Sequence, residues 1–159
     1  MVGVEAATLA DADEVADLWV ALAEGQRAFE SHLLADPNRE TVRNAVARRA
    51  VADELLVARG DESIAGFVTF GLESGAYEQD TTRGLVQNIY VVPDRRGKGI
   101  GSALLAAAEE SLTDAGAEVV ALDVMADNAD ARRFYRRHDY RPHRTEMEKR
   151  SENDTLTKE

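Results

Sequence analysis

The residues best suited to chemistry form one run, Val91-Val92-Pro93-Asp94-Arg95-Arg96-Gly97-Lys98-Gly99-Ile100-Gly101-Ser102, between an apolar β-branched segment and an amphipathic one. Glycines at 97, 99 and 101 let a backbone take positive φ and approach a ligand closely. A helix opening at Gly99 would add free N–H groups and a partial positive charge, and such an end binds phosphate readily. Arg95, Arg96 and Lys98 bring three cations to the same place. The expected chemistry is the holding of a polyanion, and a pyrophosphate fits. Two other glycine-rich sites are excluded by spacing. No G-x-x-x-x-G-K-[ST] run occurs, and a dinucleotide fold would set its glycines behind the first strand of a parallel sheet, with an acid roughly 20 residues on. Here the turn follows the fourth expected strand. A tight, solvated connection would use similar residues, but three cations, three glycines and a helix start together favour phosphate.

The elements around the turn follow from periodicity. Val2, Val4 and Ala6 alternate with polar or small residues and predict a strand. Asp11 and Glu14 have capping-box spacing ahead of Val15, Leu18, Trp19 and Leu22, the buried stripe of a helix. Asp36-Pro37 opens a second helix that runs to about Val51. Leu55 to Ala58 and Ile64 to Phe70, separated by Gly60-Asp61-Glu62-Ser63, predict a hairpin. Residues 71–83 lack periodicity and read as a long loop of the kind that often carries function. Leu85 to Val92 reads as a strand buried on both faces and stopped by Pro93. A helix from Gly99 to about Ala115 buries Ile100, Leu104, Ala108 and Leu112, with Gly116 at its end. Val119 to Met125 predicts a strand, Asp130 to His138 a short helix, and Tyr140 to Lys149 a last strand. Residues 1–150 are expected to form one domain and 151–159 a frayed polar tail.

Composition narrows the function classes. The 159 residues suit a single globular domain. With no cysteine, a disulfide framework, a thiolate metal site and a cysteine nucleophile are all excluded, and 3 histidines give a metal site little support. The net charge of −11 argues against nucleic acid as a partner. No leader-like start and no run of 18 apolar residues occur, so a cytoplasmic protein away from membranes is expected. Residues 1–92 carry 16 acids against 7 bases, whereas residues 93–150 carry 11 of each. The turn is therefore basic against an acidic background. Of the 19 bases 16 are Arg, which together with the acidity suggests either a salt-rich cytoplasm or a GC-rich genome.

Arg96-Gly97-Lys98-Gly99-Ile100-Gly101 resembles the [Q/R]-x-x-G-x-[G/A] signature of the GNAT superfamily of acyl-CoA-dependent N-acyltransferases. Asn88-Ile89-Tyr90-Val91-Val92-Pro93 is similar to that family's central strand. Asn128 through Tyr140, with Ala131 and Tyr135 in place, resembles its second block, N-x-x-A-x-x-x-Y-x-x-x-G-[FY], with Asp139 at the glycine position. The resemblance spans residues 2–149. It implies an α/β fold with a mixed, centrally splayed β-sheet flanked by helices on both faces, and acetyl-CoA as cosubstrate.

The resemblance further implies roles. Backbone N–H groups from Arg96 to Gly101, with Ser102 and Ala103, would cradle the CoA pyrophosphate, while Tyr90, Val91 and Val92 line the gap that takes the pantetheine arm. The N–H near Val91 would face the thioester carbonyl. Tyr135 matches the family's catalytic tyrosine, although Ala131, Phe134, Tyr135 and His138 also have the spacing of a core stripe. Asn128 would bond the cofactor arm or cap the short helix, and Arg132 would meet the cofactor. Many relatives carry glutamate at the position of Gln87, and an amide cannot take a proton at neutral pH. That leaves Asp123, Glu73 and Glu78 as candidate bases. The expected acceptor is an amine on a small molecule or peptide. A catalytically silent acyl-CoA-binding module is the alternative, and exposed strand edges leave a homodimer open.

Overall fold

A computed structural model describes residues 2–151. The expected tail, 151–159, lies outside them apart from Ser151. The chain divides into two compact units after Asn128.

The first unit runs β1 (Gly3–Ala6), α1 (Ala12–Arg27), α2 (Arg39–Val51), β2 (Leu55–Arg59), β3 (Ile64–Leu72), β4 (Arg83–Val91), α3 (Ile100–Asp114) and β5 (Val119–Leu122). Short 3-10 turns precede α1 and α2 and follow β4. The strands form one sheet in the order β1-β2-β3-β4-β5. The first three pairings are antiparallel and β4–β5 is parallel, with α3 as the crossover. The mixed sheet is as expected.

Helices cover both faces because β3 is apolar on both. Its residues Ile64 through Gly71 are all buried. Phe67, with Leu55 and Val57, joins Val15, Trp19 and Val46 of α1 and α2 in one core cluster. On the opposite face Leu104 of α3 comes within 3.1 Å of where a Cβ at Gly66 would stand. Leu104, Leu105, Ala108 and Leu112 of α3 are buried. The double burial expected of Leu85 to Val92 belongs instead to β3. In β4 only Gly84 and Val86 are buried, because β5 pairs no further than Val86 and leaves the rest with a neighbour on one side.

Asp11 and Glu14 do not form the expected capping box. The Asp11 carboxylate accepts from Thr8 N–H at 2.9 Å and from Arg59 at 2.9 and 3.2 Å. Glu14 accepts the Ile64 N–H at 2.8 Å. The box is formed one step earlier, by Thr8 and Asp11 around the turn Leu9–Asp11.

The second unit contains α4 (Ala129–Arg137). The expected strand from Tyr140 to Lys149 is absent: described residues 140–151 carry neither helix nor strand. Between Arg141 and Arg150 the only large apolar residue is Met147, which is 87% exposed, and Pro142 lacks an N–H donor. That run has too little apolar surface to hold a strand in a core.

Candidate functional site

The central feature of the first unit is a fork. β4 and β5 pair only from Arg83↔Val119 to Val86↔Leu122. At the same level β4 slips against β3, since Thr69 faces Asn88 while Phe70 faces Val86, which leaves Gln87 as the extra residue of a β-bulge. A bulge bends and twists its strand, and beyond it β4 continues to Val91 along β3 alone. The fork lies where the sequence resemblance implied a splay.

Beyond the bulge the ladder fixes which amides face outward. Val92 donates its N–H to Ala65 O at 2.8 Å, and Tyr90 and Val91 lie opposite Phe67 and Gly66. In an antiparallel ladder successive residues alternate between bonding the neighbour and turning away. The N–H and C=O of Val91 therefore point away from β3, into the fork. The Val91 carbonyl accepts from Arg96 Nε at 2.8 Å, and the Arg96 guanidinium lies 5.3 Å from the centre of the Tyr90 ring.

The glycine turn connects this strand to α3. Val92 starts the turn Pro93–Arg95, Arg96 is extended, and Gly97 and Gly99 have φ of 76° and 85°. A Cβ at either glycine would meet nothing within 4 Å. Their requirement is left-handed backbone, and the space around them stays open. Gly101 is helical, contrary to the expectation of positive φ at all three glycines, because it lies within the first turn of α3. The first intrahelical bond there is Ala103 N–H to Gly99 O, at 3.0 Å. The amides of Ile100 and Gly101 precede it and belong to the helix's outward-facing donors. Ser102 and Ala103 complete that turn.

The three cations go three ways. Arg96 folds back on β4. The Arg95 guanidinium lies over the β2–β3 turn, 3.4 Å from where a Cβ at Gly60 would stand. Lys98 is exposed at the turn itself. Arg95 and Lys98 line an open depression of about 540 Å³ together with Asp61 and Gly60 of the β2–β3 turn, Val2 and Val4, and Gly99, Ile100 and Ala103. The charges expected to act as one cluster thus spread around the helix end.

Asp123 is exposed just past β5, at the mouth of the fork, since Leu122 pairs with Val86. Glu73 is committed elsewhere: it accepts from Gln79 at 2.7 Å and faces Arg83 at 3.5 Å. Glu78 is exposed. Asn128 closes the turn after β5, its N–H bonding Met125 O at 3.0 Å, and immediately precedes α4.

In the second unit Tyr135 lies on α4, half-buried, edge-on to Phe134 at 5.2 Å and to Tyr140 at 6.0 Å. Burial pushes its hydroxyl up to about 12, so it is a neutral O–H donor at any ordinary pH. Arg132 is exposed on the same helix. Asp139, at the family's glycine position, has φ of 71° at the end of α4.

Sequence reasoning missed one group, built around Arg49 at the end of α2. Its guanidinium donates to Glu54 Oε1 at 2.7 Å, to Phe70 O at 2.8 Å and to Gln87 Oε1. A Cβ at Gly71 would fall 2.5 Å from that guanidinium and 3.0 Å from Glu54 Oε2. Gly71 is thus the window through which Arg49 crosses β3 to the bulge. Residues 38 positions apart meet there, and no local pattern announces it. Among the described residues no group of three or more acids or histidines could hold a metal ion.

A mixed sheet forked beside its single parallel pair, with a left-handed glycine turn leading from the fork into a helix, defines the acetyltransferase fold. Residues 16–140 match the acetyltransferase (GNAT) family, and the chain belongs to that family. It is 39% identical over 133 residues to a mycothiol acetyltransferase of Clavibacter michiganensis, a match covering 79% of this chain and 39% of that protein. It is 47% identical over 58 residues to an aminoalkylphosphonate N-acetyltransferase of Salmonella typhimurium, covering 36% of this chain and 38% of that one. The match to the mycothiol acetyltransferase thus spans about two fifths of that relative's length. Among solved structures it resembles an aminoglycoside N-acetyltransferase in complex with CoA, with a TM-score of 0.71 at 14% identity over 95% of both chains. A Bacillus halodurans transcriptional regulator has the same fold, with a TM-score of 0.74 at 20% identity over 95% of this chain and 100% of that one.

Proposed function

We propose that this chain transfers an acetyl group from acetyl-CoA to a primary amine by direct attack within a ternary complex, in the cytoplasm. The observation that carries the reading is the fork, with Val91 N–H turned into it and the glycine turn at the end of the same strand. The N–H groups from Arg96 to Gly101, with Ser102 and Ala103, suit the pyrophosphate of CoA because Gly97 and Gly99 open the approach and α3 begins there. The free edge at Tyr90, Val91 and Val92 suits an extended pantetheine arm, which would bond it as a further strand would. Val91 N–H would then stabilise the charge developing on the thioester oxygen, a contribution on the order of 3–4 kcal/mol to the barrier in such sites.

Tyr135 would protonate the departing thiolate, a role that suits a hydroxyl kept neutral by burial. Asn128 and Arg132 would contact the cofactor arm. Asp123, at the mouth of the fork, is the candidate base proposed ahead of Glu78, and replacement by asparagine with an unchanged pH–rate profile would remove it. The names of the relatives support a small-molecule amine as acceptor: one is a mycothiol acetyltransferase, another an aminoalkylphosphonate N-acetyltransferase.

The second reading, a silent acyl-CoA-binding module, is favoured by Gln87, which cannot serve as a base. Release of CoA thiol from acetyl-CoA in the presence of a panel of amines separates the two, and a chain without cysteine gives a thiol reagent no background. Turnover on one amine establishes the transferase. Tight acetyl-CoA binding with none establishes the module.

A further inference from the structure

Gln87 stands at the point where β4 leaves β5, and its amide is oriented. Arg49 has only donors to offer, so the Gln87 atom that meets it is the carbonyl oxygen, as found. An amide is planar with its oxygen and nitrogen on opposite branches, so the Gln87 NH₂ is turned away from Arg49. Gln87 is exposed, and this NH₂ is what position 87 presents to an incoming molecule.

The orientation is imposed from several sides. Glu54 and Phe70 O hold the guanidinium in place. Glu54 is itself brought under Arg49 by the tight turn after α2, in which Asp53 has φ of 61° and Glu54 N–H bonds Arg49 O at 2.8 Å. Gly71 leaves the passage open. The Arg49 side chain is only 26% exposed, which limits its freedom to swing away. A donor to the carbonyl oxygen also polarises the amide and strengthens its N–H groups as donors.

We propose that Gln87, positioned by Arg49, is a specificity-determining residue that donates a hydrogen bond to an anionic oxygen carried by the acceptor close to its amine, a carboxylate or phosphonate. This rests on the transferase reading above and adds the class of acceptor. A residue at this place that took a proton would favour any amine. A fixed donor favours those with an acidic oxygen within its reach, and a hydrogen bond to a charged oxygen is the stronger kind.

The test measures kcat and KM by thiol release for 2-aminoethylphosphonate and β-alanine against propylamine, in the wild type and in Gln87→Met, Gln87→Glu and Arg49→Met. The wild type is expected to prefer the acid-bearing amines. Gln87→Met, of similar length without a donor, raises KM for those amines about tenfold and leaves propylamine unchanged, about what loss of one charge-assisted hydrogen bond costs. Gln87→Glu turns the preference towards propylamine by repulsion. Arg49→Met raises KM for the acid-bearing amines severalfold with kcat held, and Arg49→Lys, which can still donate to the carbonyl, recovers part of it. Turnover of all three amines without preference overturns this inference and leaves the transferase reading standing, as does a Gln87→Met effect equal on all three. A gain in kcat on Gln87→Glu with a new acidic limb in the pH profile overturns it too, because position 87 would then be a base site. Failure of the wild type to turn over any amine overturns both readings.

Discussion

Gly66→Ala is expected to leave the protein folded and to disable transfer. A Cβ at position 66 would lie 2.6 Å from Tyr90 O, 3.3 Å from Val91 Cα and 3.1 Å from Leu104 Cδ1. Ordinary contact begins at 3.4 Å, so β3 and β4 must part by roughly 0.8 Å at the carbonyl contact. Leu104 is fully buried on α3 and blocks retreat on that face, which sends the displacement into Tyr90 and Val91. Overpacking of this kind costs about 1–3 kcal/mol, and at about 2–4 °C per kcal/mol for a chain of this size the melting temperature should fall by several degrees. The catalytic effect is larger in proportion. Losing one aligned oxyanion donor costs on the order of 10²–10³ in kcat, and a displacement near 1 Å is enough to misalign Val91 N–H. The assay is thiol release with saturating acetyl-CoA, alongside a thermal melt and acetyl-CoA titration. Acetyl-CoA affinity should fall as well, because the displaced Tyr90 and Val91 form the edge proposed to bond the pantetheine arm, and kcat is therefore read at saturating acetyl-CoA. A kcat within threefold of the wild type, with the melting temperature lowered as expected, would refute the role given to Val91.

Three further outcomes follow from particular contacts. Tyr135→Phe should lower kcat by about 10²-fold or more, as expected for loss of a general acid, and because burial holds the hydroxyl up to about 12, the wild-type rate should have no tyrosine limb below about pH 11. Asp11 is held below the ordinary carboxylate range, chiefly by its hydrogen bond from Arg59, so its stabilising effect is complete above pH 4 and fades as acid protonates it. In denaturant melts Asp11→Asn should therefore be about 1.5–3 kcal/mol less stable at pH 6, with the gap closing towards pH 2. Asp139→Gly should raise the melting temperature by about 1–3 °C, since glycine removes a left-handed penalty of up to about 1 kcal/mol at the end of α4.

What the sequence made legible was local. The strand-turn-helix from Tyr90 to Ala103 could be read because β-branched residues, Pro93, paired glycines and a helical stripe each leave a short-range pattern. The stripe of Val15 and Trp19 was legible for the same reason. Contacts that depend on the meeting of distant segments were not. Asp11 carries the spacing of a helix cap with Glu14, but Arg59, 48 residues on, supplies a better partner, and Glu14 is drawn instead to the N–H of Ile64 at the start of β3. The bulge at Gln87 has no glycine or proline to mark it, since it arises from the mismatch of three strands. Arg49 reads as one more base on a solvated helix until Gly71 is seen to let it through. The error at Tyr140 to Lys149 came from β-propensity without burial, since alternation among charged residues gives a strand nothing to pack.

The fork also gives β4 an asymmetric rhythm of solvent access. Tyr90 and Val92 spend their amide hydrogens on β3, while Ile89 and Val91 turn theirs outward past the end of β5. Deuterium uptake along this strand should therefore alternate residue by residue, slow at 90 and 92 and fast at 89 and 91. A molecule that enters and bonds the strand edge would erase the alternation. The free protein thus carries a built-in reporter of occupancy, which records where a ligand lies without requiring that any bond be made or broken.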